Sequence, residues 1–235
     1  MVQMITSETA EPNAVIRVRF RKRGSLSYIA HLDLVRTMTK VLARAGIPVR
    51  FSEGFNPHPR FSFATAMSIG LESDYELMDI RLCKMVDETA LLEALNQNLT
   101  KECPAEEAYY PTTKFTDIAF SSYYIEIRTT GCDETLAARC NAALQAPSVV
   151  VFKRSKSGDK DTDIAPYIKE ANVTLVEGCL VLRATLTADN AKFLNPEYLI
   201  TYLKNTCGIL QGDLREEGYS ILRTGLHTAD GTLFR

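Results

Sequence analysis

Two of the three histidines in the chain, His31 and His58, lie near Asp33, Glu53 and Glu76 in the sequence. Imidazole and carboxylate groups are the side chains that bind transition metals and transfer protons near neutral pH. His31 and Asp33 are two residues apart, so on a helix their side chains diverge by about 200° and cannot face one ion. We therefore expect no metal site here, and because the sequence has no phosphate-binding loop of the Walker or dinucleotide type we expect no cofactor.

Two roles remain for these histidines. In the first, His31 packs at the edge of a helix and hydrogen-bonds to the loop that contains Asn56 and His58, while Asp33 caps the helix or pairs with an arginine. In the second, His31 or His58 removes the 2′-hydroxyl proton of RNA and a basic side chain stabilises the charged phosphate. The first role is structural, and the second predicts a metal-independent endoribonuclease.

Basic residues are concentrated near the start of the chain. Residues 14–60 contain ten Lys and Arg but only two carboxylates, although the whole chain has a net charge of −2. A local positive excess of this size attracts phosphate groups, so we predict a nucleic-acid-binding surface, with ordinary solvated faces as the alternative. The residues predicted to bind RNA are Arg17, Arg19, Arg36, Lys40, Arg44, Arg50, Phe55 and Arg60.

A helix should position part of this surface. Ser27 is a suitable N-cap and Gly46 a suitable C-terminal stop. Apolar residues at three- and four-residue steps predict one buried stripe, formed by Ile29, Leu32, Val35, Met38, Leu42 and Ala45. Arg36, Lys40 and Arg44 are four residues apart on the other side, so we expect three cations on successive turns.

The loop at residues 54–60, Gly-Phe-Asn-Pro-His-Pro-Arg, should be stiff, because glycine, asparagine and two prolines restrict its backbone. Such a loop can hold Phe55, His58 and Arg60 in fixed positions, and Phe55 can stack on an unpaired base. The residues that we expect to shape the motif are His31, Asp33, Gly54, Asn56, Pro57, His58 and Glu76.

Strand and helix patterns alternate along the chain. Residues 15–20 alternate between apolar and basic side chains, which is the pattern of a half-buried strand. The order β-α-β-β-α-β over residues 14–112 predicts a ferredoxin-like half that carries both motifs, and a second such half follows at 118–235, with a strand at 149–152. We predict an α+β fold with two tandem ferredoxin-like halves and antiparallel sheets, preceded by a flexible tail at residues 1–13.

The composition is ordinary for a globular protein, with 46% hydrophobic and 24% charged residues. No apolar run approaches the ~20 residues of a membrane span, and the first residues lack the features of a signal peptide. The six cysteines include no C-x-x-C pair, which argues against a zinc ribbon or a redox dithiol, and we expect buried or surface thiols in a reducing compartment. We therefore predict a cytoplasmic protein with no membrane partner.

Four sequence motifs resemble those of the radical-SAM-linked proteins, a family of unknown function fused to, or encoded beside, radical S-adenosylmethionine proteins. They are Tyr28-Ile29-Ala30-His31-Leu32-Asp33-Leu34, Arg44-Ala45-Gly46-Ile47-Pro48, Gly54-Phe55-Asn56-Pro57-His58-Pro59-Arg60, and Ser68-Ile69-Gly70-Leu71-Glu72-Ser73 followed by Glu76. The resemblance implies a radical-SAM protein as partner and an association with RNA metabolism, but no established activity. The clustered three-cysteine motif of radical-SAM enzymes is missing, so the resemblance implies the accessory partner.

Three functional hypotheses follow. The favoured one is a non-catalytic accessory protein that binds tRNA or rRNA through the basic N-terminal surface and the loop at 54–60. The second is a metal-independent endoribonuclease that uses His31 or His58. The third is a protein-interaction adaptor whose loop docks a radical-SAM enzyme.

Overall fold

The computed structural model describes residues 14–153, 158–189 and 192–235. The chain forms two compact units; the first extends to Phe115 and includes Arg235, and the second comprises Thr116–Phe234. The predicted tail at residues 1–13 lies outside the described residues. In the described part, each unit combines antiparallel strands with two α-helices, so the prediction of an α+β fold is confirmed.

The first unit contains four strands and two α-helices within the described range. In chain order they are β1 (Val15–Lys22), α1 (His31–Arg44), β2 (Phe61–Phe63), β3 (Glu72–Arg81), α2 (Glu88–Asn96) and β4 (Ala105–Tyr109). The strand order across the sheet is β4-β1-β3-β2, and each neighbouring pair is antiparallel. The strands β1 and β3 therefore occupy the centre of this sheet.

Alternation along β1 and β3 separates the two faces of the first sheet. Ile16 pairs with Ile80, and both belong to the buried apolar cluster that includes Met38 of α1. Arg17 pairs with Asp79 one position further along, so these two side chains point to the opposite face. The helix α1 therefore covers one face, and a charged pair lies on the other.

The helix α1 begins later than predicted, and its buried face differs accordingly. Its N-cap is Ala30, because Ser27 lies in a 3-10 turn where its hydroxyl donates to the Gly24 carbonyl oxygen at 2.7 Å. Gly46 has φ +65°, the left-handed conformation that ends a helix, as predicted. The prediction that Leu32 is buried is wrong: Leu32 is 65% exposed, since it is about 200° around the helix from the buried Leu34.

The second unit contains six strands and two α-helices among its described residues. They are β5 (Phe120–Arg128), α3 (Glu134–Leu144), β6 (Val150–Lys153), β7 (Lys160–Asp163), β8 (Ile168–Val176), β9 (Cys179–Thr187), α4 (Glu197–Cys207) and β10 (Gly218–His227). Its main sheet has the order β10-β5-β9-β8, again with antiparallel neighbours.

The strand predicted at residues 149–152 exists as β6, but it lies outside the main sheet of the second unit. It pairs with β7 in a two-stranded sheet. The position beside β9 is taken by β8, because the two-residue turn at Glu177 and Gly178 brings Val176 directly opposite Cys179. The tight hairpin between β8 and β9 therefore places β8, and not β6, at the edge of the main sheet.

The Glu217 carboxylate connects two loops of the second unit. It accepts hydrogen bonds from the backbone amides of Thr130 and Gly212, both at 2.6 Å, and from the Thr129 hydroxyl at 3.0 Å. These bonds, led by that from Thr130, lower the pKa of Glu217 from 4.5 to about 2. The folded state therefore stabilises the ionised carboxylate of Glu217.

We expect the free energy of unfolding to fall as the pH drops below about 4.5 toward 2, because the unfolded chain takes up this proton at a higher pH than the folded chain. Glu217→Gln removes this dependence while keeping an acceptor oxygen. Urea unfolding at pH 7, 4 and 3 should show the wild type losing its advantage over the variant as the pH falls. A constant difference would contradict the role of Glu217.

No helix among the described residues is long and apolar enough to cross a membrane.

Candidate nucleic-acid interface

The loop at residues 54–60 is the tip of a narrow hairpin. Phe51 bridges to Pro59, the Ser52 amide donates to the His58 carbonyl oxygen at 2.8 Å, and the His58 amide donates to the Ser52 hydroxyl at 2.9 Å. Gly54 has φ +126°, a conformation that other residues rarely adopt. The hairpin is therefore closed by its own bonds, and the side chain of Phe55 is fully exposed.

The base of this hairpin borders a cleft of about 500 Å³ on the face of the first sheet away from α1. Its walls include His58, Pro59 and Arg60 from the loop, and Asp79 and Arg81 from β3. His58, Arg60 and Arg81 are all exposed. The volume falls within the range of about 300–1,000 Å³ that small-ligand sites occupy, so the cleft can accept a nucleotide-sized group.

Arg81 belongs to this cleft although the sequence did not single it out. Its amide donates to the Arg60 carbonyl oxygen at 2.9 Å, while its own carbonyl oxygen accepts from the Arg50 amide at 2.8 Å. The backbone of Arg81 is thus held between the two sides of the hairpin, with the half-buried Arg50 beside it. The alternating pattern of its strand could have indicated that Arg81 is exposed. The pattern does not indicate that Arg81 pairs with Arg60.

Arg17 does not lie on the exposed surface, contrary to prediction. Its side chain is fully buried and donates to both Asp79 oxygens, at 2.6 and 2.9 Å, and to the Thr113 hydroxyl at 2.7 Å. The Phe115 ring covers the guanidinium at 4.5 Å. A guanidinium enclosed in this way is not available to a phosphate from solution.

Arg19 is also committed to carboxylates of its own unit. It pairs with Glu106 and Glu107 on β4, and its side chain is only 19% exposed. Burial alone lowers the pKa of Arg19, but the hydrogen bond to Glu107 and the charges of both carboxylates raise it above its ordinary value. These carboxylates neutralise the charge of Arg19, so Arg19 is not the exposed cation that was predicted.

The three cations of α1 lie on the exposed side of the helix, as predicted. Arg36 pairs with Asp33 at 2.8 Å, and Arg44 donates to the Asn98 carbonyl oxygen at 3.3 Å. Because α1 packs on the opposite side of the sheet from Asp79, these cations and the cleft face different directions within the first unit. The predicted basic residues therefore do not form one continuous patch.

His31 and Glu76 border a different cavity of the first unit from the cleft that His58 borders. The His31 ring packs edge-on against Phe63, with centroids 5.6 Å apart, so the predicted bond to the loop is replaced by an aromatic contact. The expected pairing of Asp33 with an arginine is confirmed by its contact with Arg36. Glu76 is buried and borders, with His31, a cavity of only about 10 Å³. Such a space holds at most one water molecule and cannot take a substrate.

Within the described ranges, no group of three or more His, Cys, Asp or Glu side chains is arranged to hold a metal ion.

Comparison with known proteins gives one family. A family model described as "Uncharacterized protein conserved in bacteria (DUF2344)" matches residues 15–196. No curated protein matches the chain.

Two solved structures are similar in outline. A chain of a Cbf5-Nop10-Gar1 complex has 10% identity and a TM-score of 0.49; the match covers 95% of the present chain but only 57% of the other. An unknown protein from Galdieria sulphuraria has 10% identity and a TM-score of 0.26, with 90% and 98% covered. At these scores neither similarity supports an inference about function.

Proposed function

The chain belongs to the bacterial family DUF2344, and from the geometry of its hairpin and cleft we propose that it is a non-catalytic accessory protein that binds single-stranded RNA, such as an exposed segment of tRNA or rRNA. The observation that supports this proposal is the combination of exposed Arg60, Arg81 and His58 in one cleft with the fully exposed Phe55 on the adjoining hairpin.

The electrostatics of the cleft favour a phosphate. Asp79 is the carboxylate in its wall, and its two oxygens are already bound by the buried Arg17. The charges of Arg60 and Arg81 are therefore not cancelled by Asp79. Two exposed guanidinium groups beside a cavity attract phosphate oxygens and bind them with charge-assisted hydrogen bonds.

Phe55 supplies the second half of the interaction. A phenylalanine that is fully exposed buries apolar surface only when a partner covers it. An unpaired base provides a flat partner of suitable size, whereas the bases of a duplex are hidden by stacking. The hairpin therefore favours single-stranded segments over double-stranded RNA.

Arg60→Ala/Arg81→Ala tests the proposal. We expect this variant to bind a single-stranded RNA oligonucleotide about 100-fold more weakly, at roughly tenfold for each charged contact. The slope of log affinity against log salt should fall by about 1.4, since two phosphate contacts are lost. Fluorescence anisotropy over a series of salt concentrations measures both quantities.

Arg36→Ala/Lys40→Ala is the matched control, because it removes the same charge from the exposed side of α1. We expect its affinity to stay within about threefold of the wild type. Equal losses in the two variants would overturn the cleft as the binding site. Complete absence of RNA binding in the wild type would overturn the proposed function and favour the adaptor hypothesis.

Within the cleft, the residue that would carry the endoribonuclease hypothesis is His58, because His31 borders a different cavity. Shortened RNA products in the same assay, lost in His58→Ala, would replace a binding function with a catalytic one.

A second candidate function, docking of a protein partner, is favoured by exposed apolar residues at the start of α1. Tyr28 is 71% exposed and Leu32 65% exposed, and Ile69 lies nearby because the Gly70 amide donates to the Ser27 carbonyl oxygen at 2.8 Å. We propose a radical-SAM protein as the partner on the basis of motif resemblance alone, and the cytoplasm as the location on the basis of the cysteine pattern.

We also propose that the chain folds as two tandem ferredoxin-like halves. The strand order β4-β1-β3-β2 in the first unit corresponds to β10-β5-β9-β8 in the second when the β6-β7 hairpin is set aside as an insertion. In both orders the first and third strands are central and the fourth lies outside the first.

A further inference from the structure

The main sheet of the second unit carries its own cleft, of about 340 Å³, which the proposed RNA site does not include. Tyr124 of β5, Glu170 and Asn172 of β8, and Arg183 of β9 contribute to its walls. Glu170, Asn172 and Arg183 are exposed, and Tyr124 is half-buried. The cleft is therefore a polar, accessible site with one aromatic ring.

Strand register places these side chains in two rows across the sheet. Tyr124, Arg183 and Asn172 form one row, because Arg183 pairs with both of the others. Thr185 pairs with Glu170 in the next row on the same face, two residues along β9. Rows two residues apart are about 7 Å from each other, and β8 lies two strands, about 10 Å, from β5. Tyr124 and Glu170 are therefore about 12 Å apart at their Cα atoms, and a base lying over Arg183 of β9 has Tyr124 on one side and Glu170 on the other.

The charges of this cleft differ from those of the cleft in the first unit. Arg183 and Glu170 contribute one charge of each sign, so the lining offers no excess positive charge for a phosphate. The Arg183 guanidinium lies over the Tyr124 ring at 5.4 Å from its centroid. Aromatic rings and guanidinium planes are the surfaces on which proteins stack bases.

We propose that the cleft of the second unit holds one unpaired guanine base. The ring stacks on the surface formed by Tyr124 and Arg183, and the Glu170 carboxylate accepts hydrogen bonds from the N1–H and N2–H groups of the base. This inference rests on the proposed function in one respect, namely that the guanine belongs to the bound RNA.

The carboxylate of Glu170 determines the choice of base. An ionised carboxylate only accepts hydrogen bonds, and its two oxygens match two adjacent donors. Guanine presents such donors on its Watson–Crick edge. Uracil presents one N–H between two carbonyl oxygens, which repel the carboxylate, so uracil is disfavoured.

Binding of free guanosine and uridine, followed by ligand-observed NMR, tests the proposal without any phosphate. We expect guanosine to bind at least tenfold more tightly than uridine. Tyr124→Ala should weaken guanosine binding about tenfold or more, whereas Tyr124→Phe should keep it. Glu170→Gln should remove the preference for guanosine over uridine.

Tyr219→Ala is the matched control, because Tyr219 is an exposed tyrosine of the same unit that does not line the cleft. It should leave guanosine binding unchanged. Equal binding of the two nucleosides, or full guanosine binding by a folded Tyr124→Ala variant, would overturn the assignment.

Failure of this inference is distinguishable from failure of the proposed function. RNA binding that requires Arg60 and Arg81, without guanosine binding, overturns the guanine cleft alone. Guanosine binding without RNA binding overturns the proposed function and leaves the cleft in place.

Discussion

Asp79→Ala will lower the free energy of unfolding by about 3 kcal/mol, because it leaves the buried Arg17 charge without its carboxylate. The Arg17 side chain has no exposed surface, and its guanidinium lies between Thr113 and the Phe115 ring. Asp79 is 18% exposed toward the cleft, so water that enters there replaces only part of the two lost hydrogen bonds.

Asp74→Ala is the control for that variant, since Asp74 also lies on β3 and also receives two hydrogen bonds from one arginine, Arg23. Both side chains of this second pair are about one-third exposed, so we expect a loss below about 1 kcal/mol. Urea unfolding followed by far-ultraviolet circular dichroism suits a chain that has no tryptophan. Equal losses would show that burial of Arg17 adds nothing.

Phe55→Ala will lower the affinity for single-stranded RNA by about 1–3 kcal/mol, the usual value of one stacked base. Phe55→Trp should restore binding, because the larger ring stacks at least as well. Phe55→Leu keeps an apolar side chain but removes the ring, so it should behave like the alanine variant. Anisotropy titrations at one fixed salt concentration separate the three.

Phe152→Ala serves as the matched control for the loop variants, because Phe152 is an exposed phenylalanine of the second unit. Its RNA affinity should equal that of the wild type. Unchanged affinity in Phe55→Ala, with the hairpin still folded, would show that Phe55 is not the stacking residue.

Local sequence signals account for much of the first unit. The alternation at residues 15–20 produced β1, and Gly46 ended α1 where its left-handed conformation was expected. Asp33 was expected to cap the helix or pair with an arginine, and it pairs with Arg36, three residues further along the same helix. These features depend on residues a few positions apart, and such interactions are visible in a linear sequence.

The features that could not be predicted from the sequence depend on contacts between residues that are far apart in the chain. Arg17 is buried by Thr113 and Phe115, about 96 residues later, and nothing near Arg17 indicates this cover. Arg81 reaches the cleft through strand pairing with the hairpin, which depends on how Arg50 and Arg60 align with it. An outward position on a strand predicts the face of the sheet, but not what covers that face.

The hydrogen bonds between Ser52 and His58 have a consequence for how fast the proposed RNA ligand would bind. They close the hairpin before any ligand arrives, so association does not wait for the loop to fold. The association rate constant should then be set by diffusion and by the attraction of Arg60 and Arg81. Salt would slow the encounter, while the contact of Phe55 with the base would mainly set the lifetime of the complex.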